Sequence, residues 1–217
     1  MLHHDYIFFS VHSSYYQLPQ TKQKELKKEF LKELKKEKGV IIYTYTTLGL
    51  KNNTFFLLWL QANALEKIQN FINILLHTTF GSYLTITYTF FGMTRPTQYS
   101  SALSKHLDTG RKGGAYLILY PFTKTTAWHM LSFEKRKELM NGHIAVGRKY
   151  PQITQLLLYS YGVDDNEFIV SYETDDLSDF QSLVMDLRSD EVRSYTQKDT
   201  PIFTCVYKTP QEFIDFL

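Results

Sequence analysis

Residues 40–61, VIIYTYTTLGLKNNTFFLLWLQ, predict a β-hairpin that fixes the fold class. Its first arm, 40–47, is rich in β-branched and aromatic residues, and Asn52 with Asn53 forms a typical turn before the second arm. The second arm is apolar throughout 55–60 instead of at alternate positions. Such a strand is expected to be buried on both faces of its sheet.

Helices and further strands flank this hairpin, and their order is repeated later in the chain. Before it come a strand at 6–11 and an amphipathic helix at 22–38, and after it a helix at 65–75 and a strand at 83–91. The order is therefore βαββαβ. The second half gives the same order: strand 115–120, helix 133–150, hairpin 154–161 and 168–172, helix 177–187 capped by Asp176, and strand 202–207. Residues 213–217 are predicted to form a short tail.

This repetition predicts an α+β protein built from two tandem units, residues 1–100 and 101–217. Each unit would be a four-stranded antiparallel sheet with two helices on one face. The other face of each sheet would be apolar, so we expect the two units to pack sheet to sheet. The polar stretch 94–114, which contains GRKGG at 110–114, is interpreted as a flexible connection because it lacks the order of a phosphate-binding loop.

Composition excludes several classes of protein. Of the 217 residues, 43% are hydrophobic and 16% aromatic, which rules out a disordered chain. The net charge is 24 minus 22, or +2, and the charges of helix 22–38 alternate in sign, so no nucleic-acid partner is expected. Cys205 is the only cysteine, and no apolar run approaches the roughly 20 residues of a membrane span. We therefore expect no membrane span and a cytoplasmic location.

One histidine stands out from the seven in the sequence. His143 lies on the apolar stripe of helix 133–150, and Gly142 and Gly147 leave space beside it. A hydrogen-bonded core histidine and a metal or haem ligand are both compatible with this position. Tyr120, Lys124, Trp128 and Gln155 carry no signal when each is considered alone.

Taken together, four blocks resemble the chlorite dismutase and coproheme decarboxylase family. They are YPFTKTTAWHML at 120–131, GHIAVGRKYP at 142–151, YSYGVDDNEFIVSYETDDLSDFQSLVMDLRSDE at 159–191 and DTPIFTC at 199–205. In the first hundred residues the likeness rests on the βαββαβ pattern and on GMTRPTQYS at 92–100. The resemblance implies two ferredoxin-like halves that face each other, with haem in the second half, and a homopentamer for members of this length.

The resemblance also implies roles for five residues around the iron porphyrin. His143 would be the iron ligand, Glu191 the acidic partner of its other ring nitrogen, and Lys124 a member of the same network. Trp128 would pack beside the porphyrin, and Arg148 would lie near the propionates that remain after reaction. His129 replaces the aromatic residue usual at the next position, with an effect that the sequence does not define.

On the other side of the porphyrin, the sequence departs from chlorite-degrading members. Their distal arginine corresponds here to Gln155, with Thr154 and Leu156 as less favoured occupants of the position. Tyr120 matches the tyrosine that is thought to abstract hydrogen from the reacting propionates. Lys124, four residues on, matches the lysine that hydrogen-bonds the reacting propionate. The short spacing from Lys124 to Trp128, however, is that of the chlorite-degrading lineage.

The resemblance therefore predicts a haem-dependent oxidoreductase, with hydrogen peroxide and a porphyrin as its small-molecule ligands. The expected function is peroxide-dependent decarboxylation of coproheme, which would be both substrate and cofactor, to give haem b. The alternatives are a chlorite O2-lyase or peroxidase-like enzyme that retains haem b, and a non-catalytic protein that binds or transfers haem.

Overall fold

The computed structural model describes residues 2–36, 39–96, 99 and 110–217, and these form two compact units. The first unit comprises residues 1–93 and 204–217, and the second comprises residues 94–203. Helices and antiparallel strands follow each other in the predicted βαββαβ order, so the α+β class is confirmed. No helix in the described ranges is long and apolar enough to cross a membrane.

The first unit contains an antiparallel sheet with helices on one side. Its elements are β1 (His3–Val11), α1 (Gln20–Lys35), β2 (Ile41–Thr46), β3 (Phe56–Ala62), α2 (Leu65–Leu76), β4 (Leu84–Met93), β9 (Phe203–Lys208) and α6 (Pro210–Phe216). β1 lies between β3 and β4, and β2 pairs with β3 on one edge and with β9 on the other. All seven residues of β3 are buried, as the predicted hairpin required.

Helices α1, α2 and α6 cover one face of this sheet. Their apolar stripes form one core with the strands; its members include Leu26, Phe30, Leu34, Ile68, Phe71, Phe56, Leu58, Leu60, Phe213 and Ile214. The chain end at 213–217, which we predicted to be a short tail, is therefore part of a helix. Thr209 begins α6 with a capping box formed with Glu212, and the Phe213 ring packs edge-on against Phe56.

The second unit contains all the predicted functional residues. Its elements are β5 (Tyr116–Lys124), α3 (Thr126–Met130), α4 (Phe133–Gly147), β6 (Thr154–Tyr159), β7 (Phe168–Thr174), α5 (Leu177–Arg188), a 3-10 helix (Glu191–Tyr195) and β8 (Thr196–Lys198). β7 pairs with β5 and β6, and β5 also pairs with β8. As predicted, Asp176 caps α5, because its carboxylate accepts a hydrogen bond from the Ser178 amide at 2.7 Å.

Residues 110–114, the GRKGG stretch, are tied to the second unit through a buried carboxylate. Glu173 on β7 accepts hydrogen bonds from the backbone amides of Lys112, Gly113 and Gly114. Gly113 has a φ of 111°, and a Cβ at Gly114 would lie 2.7 Å from the Thr174 amide nitrogen. The stretch thus wraps around a carboxylate of its own unit. Residues 100–109 and part of GMTRPTQYS lie outside the described residues.

Candidate functional site

Tyr120 and Gln155 lie on the same face of the second unit's sheet. In the ladder, Tyr120 on β5 is paired with Val170 on β7. Two residues away on β5, Ile118 is paired with Tyr172 on β7, and Tyr172 is in turn paired with Gln155 on β6. Directly paired residues of an antiparallel sheet share a face, as do residues two apart on one strand. Gln155 is exposed on this face, whereas Tyr172 is buried.

The phenol of Tyr120 is held against Tyr172. The two rings stack with their centroids 6.1 Å apart, and Tyr172 also contacts Phe180 on α5. Burial raises the pKa of Tyr120, and its hydrogen bond with Tyr172 offsets only part of that effect. Tyr120 is therefore protonated at neutral pH, with a hydrogen on its Oη atom.

His143 faces a carboxylate, which belongs to Asp190 rather than to Glu191. The Nδ1 atom of His143 lies 3.8 Å from Oδ2 of Asp190. Both atoms are buried, and neither has a hydrogen-bond partner within the described residues. Burial lowers the pKa of His143, with Asp190 opposing the shift, so the imidazole is largely neutral at pH 7. A neutral imidazole is the form that binds a metal.

The start of the 3-10 helix explains why Asp190 occupies this position. Asp190 is the residue that precedes the helix, and its Oδ1 accepts a hydrogen bond from the Val192 amide at 3.2 Å. Its Oδ2 is left facing the imidazole. Glu191 is the first residue of the helix and is exposed. The preference of aspartate for the position before a helix is the sequence signal that distinguishes the two acids.

Lys124 and Trp128 are in direct contact. The Lys124 side chain is 8% exposed, and its Nζ lies 4.6 Å from the centre of the Trp128 ring and 5.9 Å from that of Phe122. Thr125 caps α3, because its side chain accepts a hydrogen bond from the Trp128 amide. The chain turns at this cap, so the Trp128 indole packs against the Lys124 side chain. Burial first, and then Arg193, lower the pKa of Lys124 to about 8, against the opposing effects of Glu167 and Asp190.

Two arginines that we did not single out in the sequence lie in this region. Arg193 on the 3-10 helix and Arg188 at the end of α5 both donate to Oδ2 of Asp199, at 2.7 and 3.2 Å. Asp199 raises the pKa of Tyr120, whereas Arg188 and Arg193 lower it. Arg193 also acts on Lys124. No residue spacing predicted this arrangement, because it depends on how α5, the 3-10 helix and β5 pack.

The remaining residues singled out in the sequence are Arg148, two glycines of α4 and His129. Arg148 follows the last residue of α4 and is exposed. Gly142 and Gly147 have open space where a Cβ would be, so contacts with the described residues do not require glycine at either position. His129, whose role the sequence did not define, lies with its Nε2 atom 2.9 Å from Oε1 of Glu167.

Comparison with known proteins identifies the family of the chain. The family model for chlorite dismutase matches residues 20–208. The chain belongs to the chlorite dismutase family. The resemblance seen in the sequence blocks is thereby confirmed, and the chain is a member of an enzyme family.

Two relatives within the chlorite dismutase family are enzymes with different names. A coproheme decarboxylase from Mycolicibacterium smegmatis is 27% identical over 177 residues, which cover 81% of this chain and 76% of the relative. A chlorite dismutase from Ideonella dechloratans is 27% identical over 189 residues, covering 82% of this chain and 66% of the relative. The two identities are equal, so sequence identity does not distinguish between these two kinds of relative.

Solved structures of the family confirm the fold. Chlorite dismutase from Candidatus Nitrospira defluvii in complex with imidazole superposes with a TM-score of 0.90 at 22% identity, covering 99% of this chain and 94% of that chain. A single-residue variant of the same enzyme gives a TM-score of 0.91, also at 22% identity and with the same coverage. At this identity the likeness supports the tandem ferredoxin-like fold and nothing finer.

Proposed function

We propose that this protein is a hydrogen-peroxide-dependent coproheme decarboxylase that produces haem b. The observation that carries the proposal is that Tyr120 and Gln155 lie on the same face of one sheet, on strands β5 and β6 that flank β7. This face carries a protonated phenol and also a neutral amide, and the amide is at the position where the family resemblance implies an arginine in chlorite-degrading members. A neutral amide can donate a hydrogen bond to peroxide, but it provides no charge to retain an oxyanion of chlorine.

The residues around His143 fit an iron porphyrin. The Nδ1 atom faces Oδ2 of Asp190, so Nε2 at the other side of the ring is the atom that would bind iron. A carboxylate next to Nδ1 orients a histidine ligand and raises its basicity. The open space at Gly142 and Gly147 leaves room beside α4.

Coproheme differs from haem b by two additional propionate carboxylates, and the cationic residues of this region suit them. Lys124 is largely protonated at pH 7 because its pKa is about 8. Arg193 adds a fixed charge near both Lys124 and Tyr120. A buried cation with its charge only partly compensated favours a carboxylate partner. We infer that Lys124 and Arg193 hold the reacting propionates, while exposed Arg148 contacts a propionate that is retained.

The reaction balances when each propionate consumes one molecule of peroxide. A propionate, a peroxide and a proton give a vinyl group, carbon dioxide and two molecules of water. The bound iron porphyrin supplies the redox chemistry that couples peroxide to the side chain. In the protein, Tyr120 would first give up one electron and its Oη proton to the oxidising equivalent that peroxide delivers. The resulting phenoxyl oxygen would then take a hydrogen atom from the propionate, and Tyr172 would fix the orientation of the Tyr120 ring. Gln155 would orient peroxide by hydrogen bonding.

The test is to add coproheme and hydrogen peroxide to the purified protein and to follow the porphyrin by mass spectrometry. We expect a product that has lost two carboxyl groups and carries two vinyl groups. Tyr120→Phe is the matched variant, because it keeps the ring stacked on Tyr172 but removes the hydroxyl. The proposal is contradicted if no lighter product forms, or if Tyr120→Phe is as active as the wild type.

Chlorite degradation is the second candidate, favoured by the short segment from Lys124 to Trp128 that α3 makes compact. We expect little oxygen evolution from chlorite by the haem b form. Gln155 is exposed, so the position accommodates the longer side chain of arginine. We expect Gln155→Arg to increase oxygen evolution from chlorite. Sustained turnover by the wild type would favour chlorite dismutase instead. Binding of haem with no reaction under either oxidant would favour a binding or transfer role.

We also propose that the protein is a cytoplasmic homopentamer, as the family resemblance implies for chains of this length. Light scattering coupled to size-exclusion chromatography of the full chain measures the mass of the assembly directly. A mass of five chains of 25.6 kDa is expected, and a monomer or dimer would contradict the proposal.

A further inference from the structure

The hydrogen-bonded pair of Glu167 and His129 joins both ends of the segment that carries Lys124 and Trp128. The carboxylate of Glu167, which precedes β7, accepts from the Lys124 backbone amide through Oε2 at 2.7 Å. Its other oxygen, Oε1, is 2.9 Å from Nε2 of His129 on α3. One carboxylate therefore fixes the first and the last residue of 124–129.

The local structure shows why residues 124–129 need hydrogen bonds from outside the segment to keep their conformation. The pairing of β5 with β8 shifts register between Thr123 and Lys124, so the strand ends irregularly there. The helix that follows, α3, has five residues. A helix of this length is unstable by itself, because its few internal hydrogen bonds do not compensate for the cost of its first turn.

The pair also lies in surroundings that keep it in place. The Glu167 side chain is 19% exposed, so its hydrogen bonds are partly protected from water. The His129 ring meets the Tyr161 ring edge-on at 6.2 Å, and Tyr161 meets Phe168 at 5.0 Å. Hydrogen bonds to a carboxylate are stronger than those between neutral groups.

We propose that Glu167 and His129 are positioning residues that hold Lys124 and Trp128 in the arrangement needed to receive the porphyrin. Glu167 fixes the backbone of Lys124, and His129 prevents α3 from separating from that carboxylate. Neither residue touches the substrate. The inference rests on the proposed function only in taking Lys124 and Trp128 as porphyrin-binding residues.

The main measurement uses the full chain without added porphyrin, so it decides on the pair even if the decarboxylase proposal fails. Two variants separate the hydrogen bond from the ring contact. His129→Phe keeps a ring against Tyr161 but cannot donate to Glu167, whereas His129→Gln loses the ring but retains an N–H donor. Hydrogen exchange of the Lys124 and Trp128 amides, measured by NMR, reports local opening of the segment.

We expect His129→Phe to accelerate exchange of these two amides about tenfold, as loss of one charge-assisted hydrogen bond would, and His129→Gln to leave it near the wild-type rate. Lys135→Ala, which removes an exposed ion pair with Glu138 on α4, is the control and should change neither amide. Coproheme affinity, measured by absorbance titration, should fall in His129→Phe and be restored in His129→Gln. Equal exchange in wild type and His129→Phe, or acceleration in His129→Gln alone, would overturn the proposal.

Discussion

Asp190 uses its two carboxylate oxygens for different purposes: Oδ1 caps the 3-10 helix at Val192, and Oδ2 lies 3.8 Å from Nδ1 of His143. The cap fixes the direction in which the second oxygen points. The orientation of the proposed iron ligand is thus coupled to the start of a short helix. Because Asp190 and Glu191 are adjacent, variants of the two acids can be compared directly.

Asp190→Asn is expected to weaken haem binding. The amide oxygen of asparagine can still cap the helix, so the change mainly removes the charge next to Nδ1. Loss of such a partner lowers metal affinity by about 10- to 100-fold. Absorbance titration with haem b, followed at the Soret band, measures the affinity. Glu191→Gln is the matched control and should bind like the wild type. If Glu191→Gln weakens binding and Asp190→Asn does not, the partner is Glu191 after all.

Lys124→Met is expected to stabilise the ligand-free protein while weakening its binding of coproheme. A lysine whose pKa is lowered from 10.5 to about 8 by burial is charged at pH 7 at a cost of up to about 3 kcal/mol. Methionine removes that cost and keeps an apolar chain against Trp128. Because the folded pKa lies below the unfolded one, stability of the wild type rises with pH between about 8 and 10.5.

Urea denaturation of wild type and Lys124→Met at pH 7 and pH 9.5 measures both effects. The difference in unfolding free energy should be larger at pH 7 and smaller at pH 9.5. Absorbance titration should show weaker coproheme binding by the variant at pH 7, with haem b binding less affected. If Lys124→Met is less stable than the wild type at pH 7, the contacts of the ammonium group stabilise the fold by more than its burial destabilises it.

The sequence predicted the elements of this fold well because each has a local cause. The apolar arm at 55–60 and the helix stripes at Leu26, Phe30 and Leu34 follow from periodicity alone. The last helix was missed because residues 213–217 are few. Its capping box begins at Thr209, and its burial depends on Phe56, far away in the sequence.

The site was predictable only where residues are recognised from a family pattern. His143, Lys124 and Trp128 are in a common region because α3, α4 and β5 are consecutive elements. Asp190 was not predicted as the partner of His143, because Asp190 and Glu191 are adjacent and only the position of the helix cap distinguishes them. Arg193 and Glu167 were missed because their relation to Lys124 arises from the packing of β7 and the 3-10 helix on β5, which no local spacing encodes.

Phe213→Ala is expected to destabilise the first unit strongly. The ring is fully buried and lies 4.9 Å from that of Phe56, centre to centre. Truncation of a buried phenylalanine costs about 3–5 kcal/mol. Phe216→Ala, three residues on but 42% exposed, is the matched control and should cost much less. Urea denaturation followed by circular dichroism measures both variants; equal losses of unfolding free energy would show that the burial of Phe213 adds nothing to stability.

His4 is expected to make the first unit sensitive to acid. Its ring is fully buried, and its Nδ1 accepts a hydrogen bond from Nε1 of Trp59 at 3.2 Å. Burial, and secondarily His3, lower the pKa of His4 to about 4. Protonation of Nδ1 would break the bond to the indole and place a charge in the core. The unfolded chain, with a histidine pKa near 6.5, therefore binds the proton first.

Stability should accordingly be complete above about pH 6.5 and should decrease as the pH falls towards 4, by up to about 3 kcal/mol from this residue. His4→Gln retains an oxygen that can accept from Trp59 but does not titrate, so its unfolding free energy should depend less on pH in this window. Urea denaturation at pH 7.0, 6.0 and 5.0 measures the slope. His77→Gln, an exposed histidine in the same unit, should keep the wild-type slope. If His4→Gln has the same slope as the wild type, the acid sensitivity originates elsewhere.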